Sequence, residues 1–234
     1  MKQSCILLVI VALCFVPSFG ASAAEIIVFG PTQYVRTTGA PNVFDDVFPG
    51  IVGDGRLLVQ NGDLSGKHRV SSAAVSINGQ PVIGTEELNQ GVESIERAIS
   101  LLETNTLEVA LTSKPGSYLT ITIFQDNPVQ LEAGLPGMAL ESPERFLVAL
   151  PVENTGAGTA VNVQVTAASL EPAPLQTPLF PAPLGDIAGD TDAIFEASFT
   201  SDALVSGTPY LLTVTGTYEV VGLTLDYALD RQLV

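Results

Sequence analysis

Residues 148–165 read VALPVENTGAGTAVNVQV, two apolar runs on either side of Asn154-Thr155-Gly156-Ala157-Gly158-Thr159. A glycine-rich loop that grips phosphate needs a helix N-terminus behind it, usually with a lysine and a serine or threonine. This stretch has no lysine, and the glycines lead into the alternating segment VNVQV. The glycine centre therefore reads as a turn between two strands, its glycines supplying positive φ. That reading points away from a nucleotide-binding α/β fold and towards an all-β chain.

Strand signals extend in both directions. RLLVQNG (56–62), AAVSING (73–79), TLEVAL (106–111) and LTITIF (119–124) are apolar or alternate, with turn residues between them. Leu107, Val109 and Leu111 share one face opposite Glu108; Leu119, Ile121 and Ile123 share one face opposite Thr120 and Thr122. Period two with one polar face is the pattern of a half-buried antiparallel sheet. In SKPGS, Pro115 and Gly116 suit the two central positions of a type II turn. Asn78-Gly79 suits a tight hairpin. Later, Phe146, Val148, Leu150 and Val152 form one face. Val161, Val163 and Val165 alternate with Asn162 and Gln164, and Phe195, Ala197 and Phe199 alternate with Glu196 and Ser198. Tyr210, Leu212 and Val214 are followed by Val221, Leu223, Leu225 and Tyr227.

Three segments depart from this pattern. Leu88, Val92, Ile95, Ile99 and Leu102 are spaced as on an amphipathic helix. The same residues also read as a helical turn near 85–90 followed by a strand with Ile95, Arg97, Ile99 and Leu101 on one face. The surrounding strands favour the second reading. Residues 125–143 hold three prolines and two glycines with little periodicity and read as a linker. Residues 170–184 carry Pro172, Pro174, Pro178, Pro181 and Pro183. Proline removes ladder donors, so this segment reads as a connection across the end or along the edge of a sandwich.

The first 23 residues have the form of a secretory signal peptide: Lys2, the apolar run CILLVIVALCFV, and small residues ending in Ala21-Ser22-Ala23. Both cysteines, Cys5 and Cys14, lie in that segment. The mature chain is then without disulfides, thiolate nucleophiles or cysteine metal sites and relies on its hydrophobic core. The reading places it outside the cytoplasm, in the periplasm, at the cell surface or in the medium, with no membrane span after cleavage. The formal charge of −16 repels nucleic acid and anionic lipid and favours solubility.

The pieces LVALPVENTGAGTAVNVQVT, LGDIAGDTDAIFEASFT and GTPYLLTVTGTYE, within residues 146–217, resemble bacterial extracellular immunoglobulin-like domains of the CARDB type, associated with cell adhesion. The likeness rests on a first strand ending in Asn-x-Gly, a valine-rich second strand, a Leu-x-x-Ile-x-x-Gly turn, a strand with alternating aromatics and a Gly-x-Tyr strand. The proline-rich insertion departs from it and leaves the strand order open. SSAAVSINGQPVIG and ISLLETNTLEVALTSKPGSYLTITI, within residues 26–124, resemble the galactose-binding-like jelly rolls attached to glycosidases. The first resemblance implies an adhesive module, the second at most a sugar-binding ancestry.

Few residues carry chemistry. His68 is the only histidine; a triad would have to join it to Ser71 or Ser72 and Asp63, in a loop without a nucleophile elbow. Glu86, Glu87, Glu93 and Glu96 read as solvated faces rather than glycosidase pairs. Asp186, Asp190 and Asp192 are the candidate calcium ligands, with Asp45, Asp46 and Asp54 a second set; neither has EF-hand spacing. There is no tryptophan, and Tyr210 and Tyr227 fall on core faces, which leaves few platforms for sugar. The expectation is two tandem β-sandwiches, 24–124 and 144–234, joined by 125–143. The favoured role is a non-catalytic structural or adhesion module presenting surfaces to a protein or glycan partner. Carbohydrate binding is the alternative and hydrolysis the distant one. Tyrosines lining a concave face of the first sandwich favour carbohydrate; a buried His–Asp–Ser cluster favours hydrolysis.

Overall fold

The computed structural model describes residues 24–234, so the signal peptide read at residues 1–23 lies outside the described residues. Among the described residues all seventeen elements are strands. They are β1 (Glu25–Val35), β2 (Asn42–Pro49), β3 (Gly53–Asn61), β4 (Ala73–Ile77), β5 (Gln80–Ile83), β6 (Ser94–Leu101), β7 (Thr104–Leu111), β8 (Tyr118–Asp126), β9 (Leu131–Ala133), β10 (Gly137–Ser142), β11 (Arg145–Asn154), β12 (Ala160–Leu170), β13 (Leu175–Thr177), β14 (Ala182–Ile187), β15 (Thr191–Thr200), β16 (Tyr210–Val220) and β17 (Leu223–Leu233). They form four antiparallel sheets. Among the described residues no helix is long and apolar enough to cross a membrane.

The first eight strands make a jelly roll. Their sheets run β1-β8-β3-β6 and β2-β7-β4-β5. The antiparallel pairs β1–β8, β2–β7, β3–β6 and β4–β5 form one long ribbon that is rolled up on itself. Its tip is the Asn78-Gly79 turn, with φ of 52° and 73°, as a type I′ hairpin needs. Gly116, φ 85°, closes the Lys114–Ser117 turn, where the Ser117 amide donates to the Lys114 carbonyl at 3.2 Å. The alternation seen in the sequence is the core: Leu107, Val109, Leu111, Leu119, Ile121 and Ile123 are all buried. The ambiguous segment is a turn at 85–87 and then the strand β6, which buries Ile95, Ile99 and Leu101. Tertiary pairing with β3 overrides the helical spacing.

Strands β9–β17 make an immunoglobulin-like sandwich, with sheets β10-β11-β15-β13 and β14-β12-β16-β17. Much of the expected linker belongs to it. β9 and β10 both pair with β11, forming one edge interrupted at 134–136. Only about residues 127–130 pass between the sandwiches. The proline-rich segment supplies β13 and β14, edge strands of opposite sheets, which fits residues that cannot donate to a ladder. Val161 is displaced from its expected core position. β12 carries an extra residue between the pairs Val161–Glu219 and Gln164–Thr217, with Asn162 at φ 51°. This bulge turns Val161 outward, to 40 % exposure, and puts Ala160 in the core.

The stretch at 148–165 joins β11 in one sheet to β12 in the other. It is thus a crossing between layers, not a hairpin. Its glycines do not have positive φ, contrary to the sequence expectation. They are required by close approach. A Cβ on Gly156 would run into the Pro128 carbonyl, and one on Gly158 would lie 2.7 Å from Pro128 Cγ. The connecting segment lies on the crossing and is bonded to it: Gly158 N donates to Pro128 O at 2.8 Å and Thr155 N to Gln130 O at 2.8 Å. Asn154, 1 % exposed, ties the rest. Its Oδ1 accepts from Gln130 N and Gly156 N, and its Nδ2 donates to Gly158 O and Ile187 O.

Candidate functional site

The β1-β8-β3-β6 sheet turns a polar row outward. Register places Gln33 beside Thr120, Thr120 beside Gln60 and Gln60 beside Ser94. Their neighbours Tyr34, Leu119, Val59 and Ile95 point into the core, so strand alternation sends these four the other way. At about 4.8 Å per strand the row crosses the sheet over about 14 Å. It floors a groove of about 560 Å³, closed at one end by the β3–β4 loop at Gly62–Ser65 and by Tyr118.

That loop is held rigidly without a disulfide. Asn61, 1 % exposed, accepts from Val70 N at 2.6 Å and donates to the carbonyls of Val70, Asn89 and Val92 at 3.0–3.1 Å. Gly62 N donates to Tyr118 O, and Tyr118 N donates to His68 O, both at 3.0 Å. Asp63 accepts from Ser65 Oγ at 2.7 Å and Lys67 N at 2.8 Å. Those bonds, the Ser65 hydroxyl foremost, hold its carboxyl below the ordinary range. Tyr118 carries its ring between the groove and His68, which stacks on it at 5.9 Å between centroids.

The other tyrosines are committed elsewhere. Tyr34 is buried, and its hydroxyl donates to Asp46 Oδ2 at 2.5 Å. Burial, reinforced by that carboxylate, raises the phenol far above its ordinary value. Burial pushes Tyr227 up to about 12. Tyr218 is buried and Tyr210 half-buried, its oxygen accepting from Val205 N at 2.8 Å.

The residues singled out in the sequence are mostly kept apart. His68 is exposed and its Nδ1 lies 3.1 Å from Gly116 O. Ser71 meets Ser113, Ser72 donates to Thr85 O, and neither serine nor Asp63 hydrogen-bonds the imidazole. Glu87, Glu93 and Glu96 each pair with an arginine, Arg97, Arg69 and Arg56 respectively. The three candidate calcium ligands are divided. Asp186, on the edge strand β14, accepts from Asn162 N at 2.8 Å. Asp190 and Asp192 line a hollow beside Glu153 at the start of β15. Asp45 and Asp46 are adjacent on β2 and so face opposite ways, and Asp54 lies on β3, in the other sheet. Among the described residues no three Asp, Glu, His or Cys side chains gather closely enough to hold a metal ion.

The sequence reading missed the polar row. Thr120 was visible as the polar side of a strand, but Gln33 and Gln60 join it only through the register of β1, β8 and β3. The second sandwich has a different concavity, an apolar hollow of about 310 Å³ lined by Met138, Leu140, Phe146, Leu204 and Tyr210.

No protein-family model matches the sequence, and no curated protein does. Solved structures superpose loosely. A GH2 beta-galacturonidase from Eisenbergiella tayi bound to glycerol is 11 % identical, with 91 % of this chain and 42 % of that one covered and a TM-score of 0.31. A beta-glucuronidase from Parabacteroides merdae is 13 % identical, covering 82 % and 28 %, TM-score 0.30. An exo-chitosanase from Amycolatopsis orientalis is 13 % identical, covering 82 % and 25 %, TM-score 0.28. The chain spans less than half the length of each enzyme, and at this degree of superposition the likeness assigns it no activity.

Proposed function

We propose that the protein is a non-catalytic, extracytoplasmic carbohydrate-binding protein that lays a glycan across the outer face of its jelly roll. The row Gln33–Thr120–Gln60–Ser94 carries the reading. A sugar presents hydroxyls that both donate and accept. Amides and hydroxyls match both roles, and a tyrosine ring offers the apolar face on which a sugar packs. This keeps the broader expectation of a module presenting sandwich surfaces to a macromolecule and narrows the partner to a glycan. Tyr118 beside the groove favours that choice over an adhesive contact with protein.

A glycan array on the purified protein, with and without calcium, tests the reading. Binding without calcium is expected, and Gln60→Ala and Tyr118→Ala should each weaken it about tenfold, the scale of one or two net hydrogen bonds. An array without binding, or both variants binding at full strength, overturns it. A calcium requirement would show that the row alone does not carry the binding.

A further inference from the structure

The chain is acidic, yet it concentrates cations at one place. Beyond Lys2 the sequence has two lysines, Lys67 and Lys114. Both line a hollow of about 560 Å³ on the far side of the β3–β4 loop from the polar row, together with His68 and Arg69. Of the described arginines, Arg56, Arg69, Arg97 and Arg145 each pair with a carboxylate. Among the described residues neither lysine does. Arg36 and Arg231 bond carbonyl or amide oxygens instead. Two exposed ammonium groups lining one hollow make a local positive charge open to an anionic partner.

The hollow is shaped as well as charged. Lys67 follows the Asp63-anchored loop, and Lys114 sits on the type II turn that Pro115 and Gly116 fix. His68 is held at φ 59°, sparsely populated for a non-glycine residue, with its ring fixed against Gly116 O and Tyr118. Arg69 is 14 % exposed; its Nη2 reaches Glu93 at 3.2 Å, its Nη1 reaches Gln90 O at 3.3 Å, and its Nε has no partner among the described residues. Among the described residues no carboxylate lines the hollow. Asp63 and Glu93 line the neighbouring groove, the first spent on Ser65 and the Lys67 amide and the second on Arg69. His68 of the hollow stacks on Tyr118 of the groove, which makes the two concavities neighbours.

We propose that this hollow binds the acidic groups, carboxylate or sulfate, of an anionic polysaccharide whose sugar rings lie over the polar row. The inference rests on the glycan reading and names its ligand class. Ammonium groups take carboxylate and sulfate as point charges without demanding one geometry, which suits a polymer that repeats its charge. The polar row takes the hydroxyls; the groove's two carboxylates, Asp63 and Glu93, are already bonded, and the overall negative charge favours placing the acidic groups at the lysines.

The test is calorimetric titration of the purified protein with polygalacturonate, dextran sulfate, neutral dextran and poly-glutamate at two salt concentrations, alongside Lys67→Gln/Lys114→Gln. Expected is tighter binding of an acidic polysaccharide than of dextran, weakened by salt. The double variant should lose about tenfold of that affinity and most of its salt dependence, with the melting temperature unchanged, as for two exposed charge pairs. The polymer that binds, polygalacturonate or dextran sulfate, separates carboxylate from sulfate. Equal binding of dextran and the acidic polymers overturns the inference and leaves the glycan reading intact. So does a double variant that binds like wild type. Poly-glutamate binding as tightly as the polysaccharides overturns it in favour of an acidic peptide. No binding of any polysaccharide overturns both.

Discussion

The two sandwiches are built from the same β-layer chemistry and are fastened by the same device, yet they do opposite things with their surfaces. In each, a fully buried carboxamide ties neighbouring loops together: Asn61 at the β3–β4 loop, Asn154 at the β11–β12 crossing. Residues 24–126 set six lysines and arginines against twelve carboxylates, and residues 127–234 set two against thirteen. The jelly roll therefore holds most of the cations, turns hydrogen-bonding side chains outward and keeps a groove with a polar row along its floor. The immunoglobulin-like half exposes carboxylates and keeps an apolar hollow. The clamps are thus common to both halves, while the outward polar row and the two lysines belong to one.

The largest expected effect comes from cutting the clamps. Asn154→Ala leaves four backbone groups without their partner, three of them in part-buried bonds that water can replace. It should cost about 3 kcal/mol, the scale of one fully buried group left unsatisfied. Asn61→Ala should cost a similar amount. Hydrogen exchange under mild denaturant locates the damage: Asn154→Ala should release Gly158 and Thr155 while the Val70 amide stays protected, and Asn61→Ala the reverse. Loss of protection in both halves from either substitution would show that the clamps are not local, and the comparison would fail.

How far the sequence foretold this arrangement depends on how local each signal is. Leu107–Leu111 and Leu119–Ile123 alternate because each strand meets one core, and both turn signals, Asn78-Gly79 and Pro115-Gly116, act within four residues. β9 and β10 had no such signal. LEA is a partly exposed edge piece and GMALES an almost wholly exposed one, recognisable only by their pairing with β11. For Gly156 and Gly158 the sequence offers only φ, which is local, whereas their actual constraint is Pro128, which arrives from another part of the fold. The groove was hidden for the same reason. Gln33, Gln60, Ser94 and Thr120 lie far apart in sequence and become one row only through register. Lys67 and Lys114 are likewise joined by two loops meeting at one end of the roll.

A smaller effect separates the two hairpin tips. Both halves have a type I′ turn, Asn78-Gly79 in the jelly roll and Val221-Gly222 between β16 and β17. Asparagine tolerates positive φ, and Asn78 Oδ1 also accepts from Thr106 N at 2.9 Å. Val221, φ 53°, is β-branched and is strained in this conformation. Val221→Asn should raise stability by about 1 kcal/mol, less whatever its partial packing contributes. Asn78→Val should lower it by more, because a hydrogen bond goes with it. Thermal melts of the two variants moving in the same direction would contradict this account.

The smallest effect is local and set by pH. Asp63 orders the loop that divides the groove from the basic hollow. Its pKa is lowered, mainly by the Ser65 hydroxyl and next by the Lys67 amide. A lowered value means that the ionised form is favoured by the folded loop. The ordering is then complete above the ordinary aspartate value of 3.8 and is lost only as pH falls through the lowered one. The Lys67 amide resonance should therefore shift with a midpoint below 3.8. In Asp63→Asn that titration should disappear, and binding of a neutral glycan should weaken slightly at neutral pH, since a neutral acceptor holds the loop less firmly than a carboxylate. A midpoint at or above the ordinary value would mean that the folded loop gains nothing from the charge. The rigidity attributed to this wall of the groove would then have to come from Asn61 and the Tyr118 backbone alone.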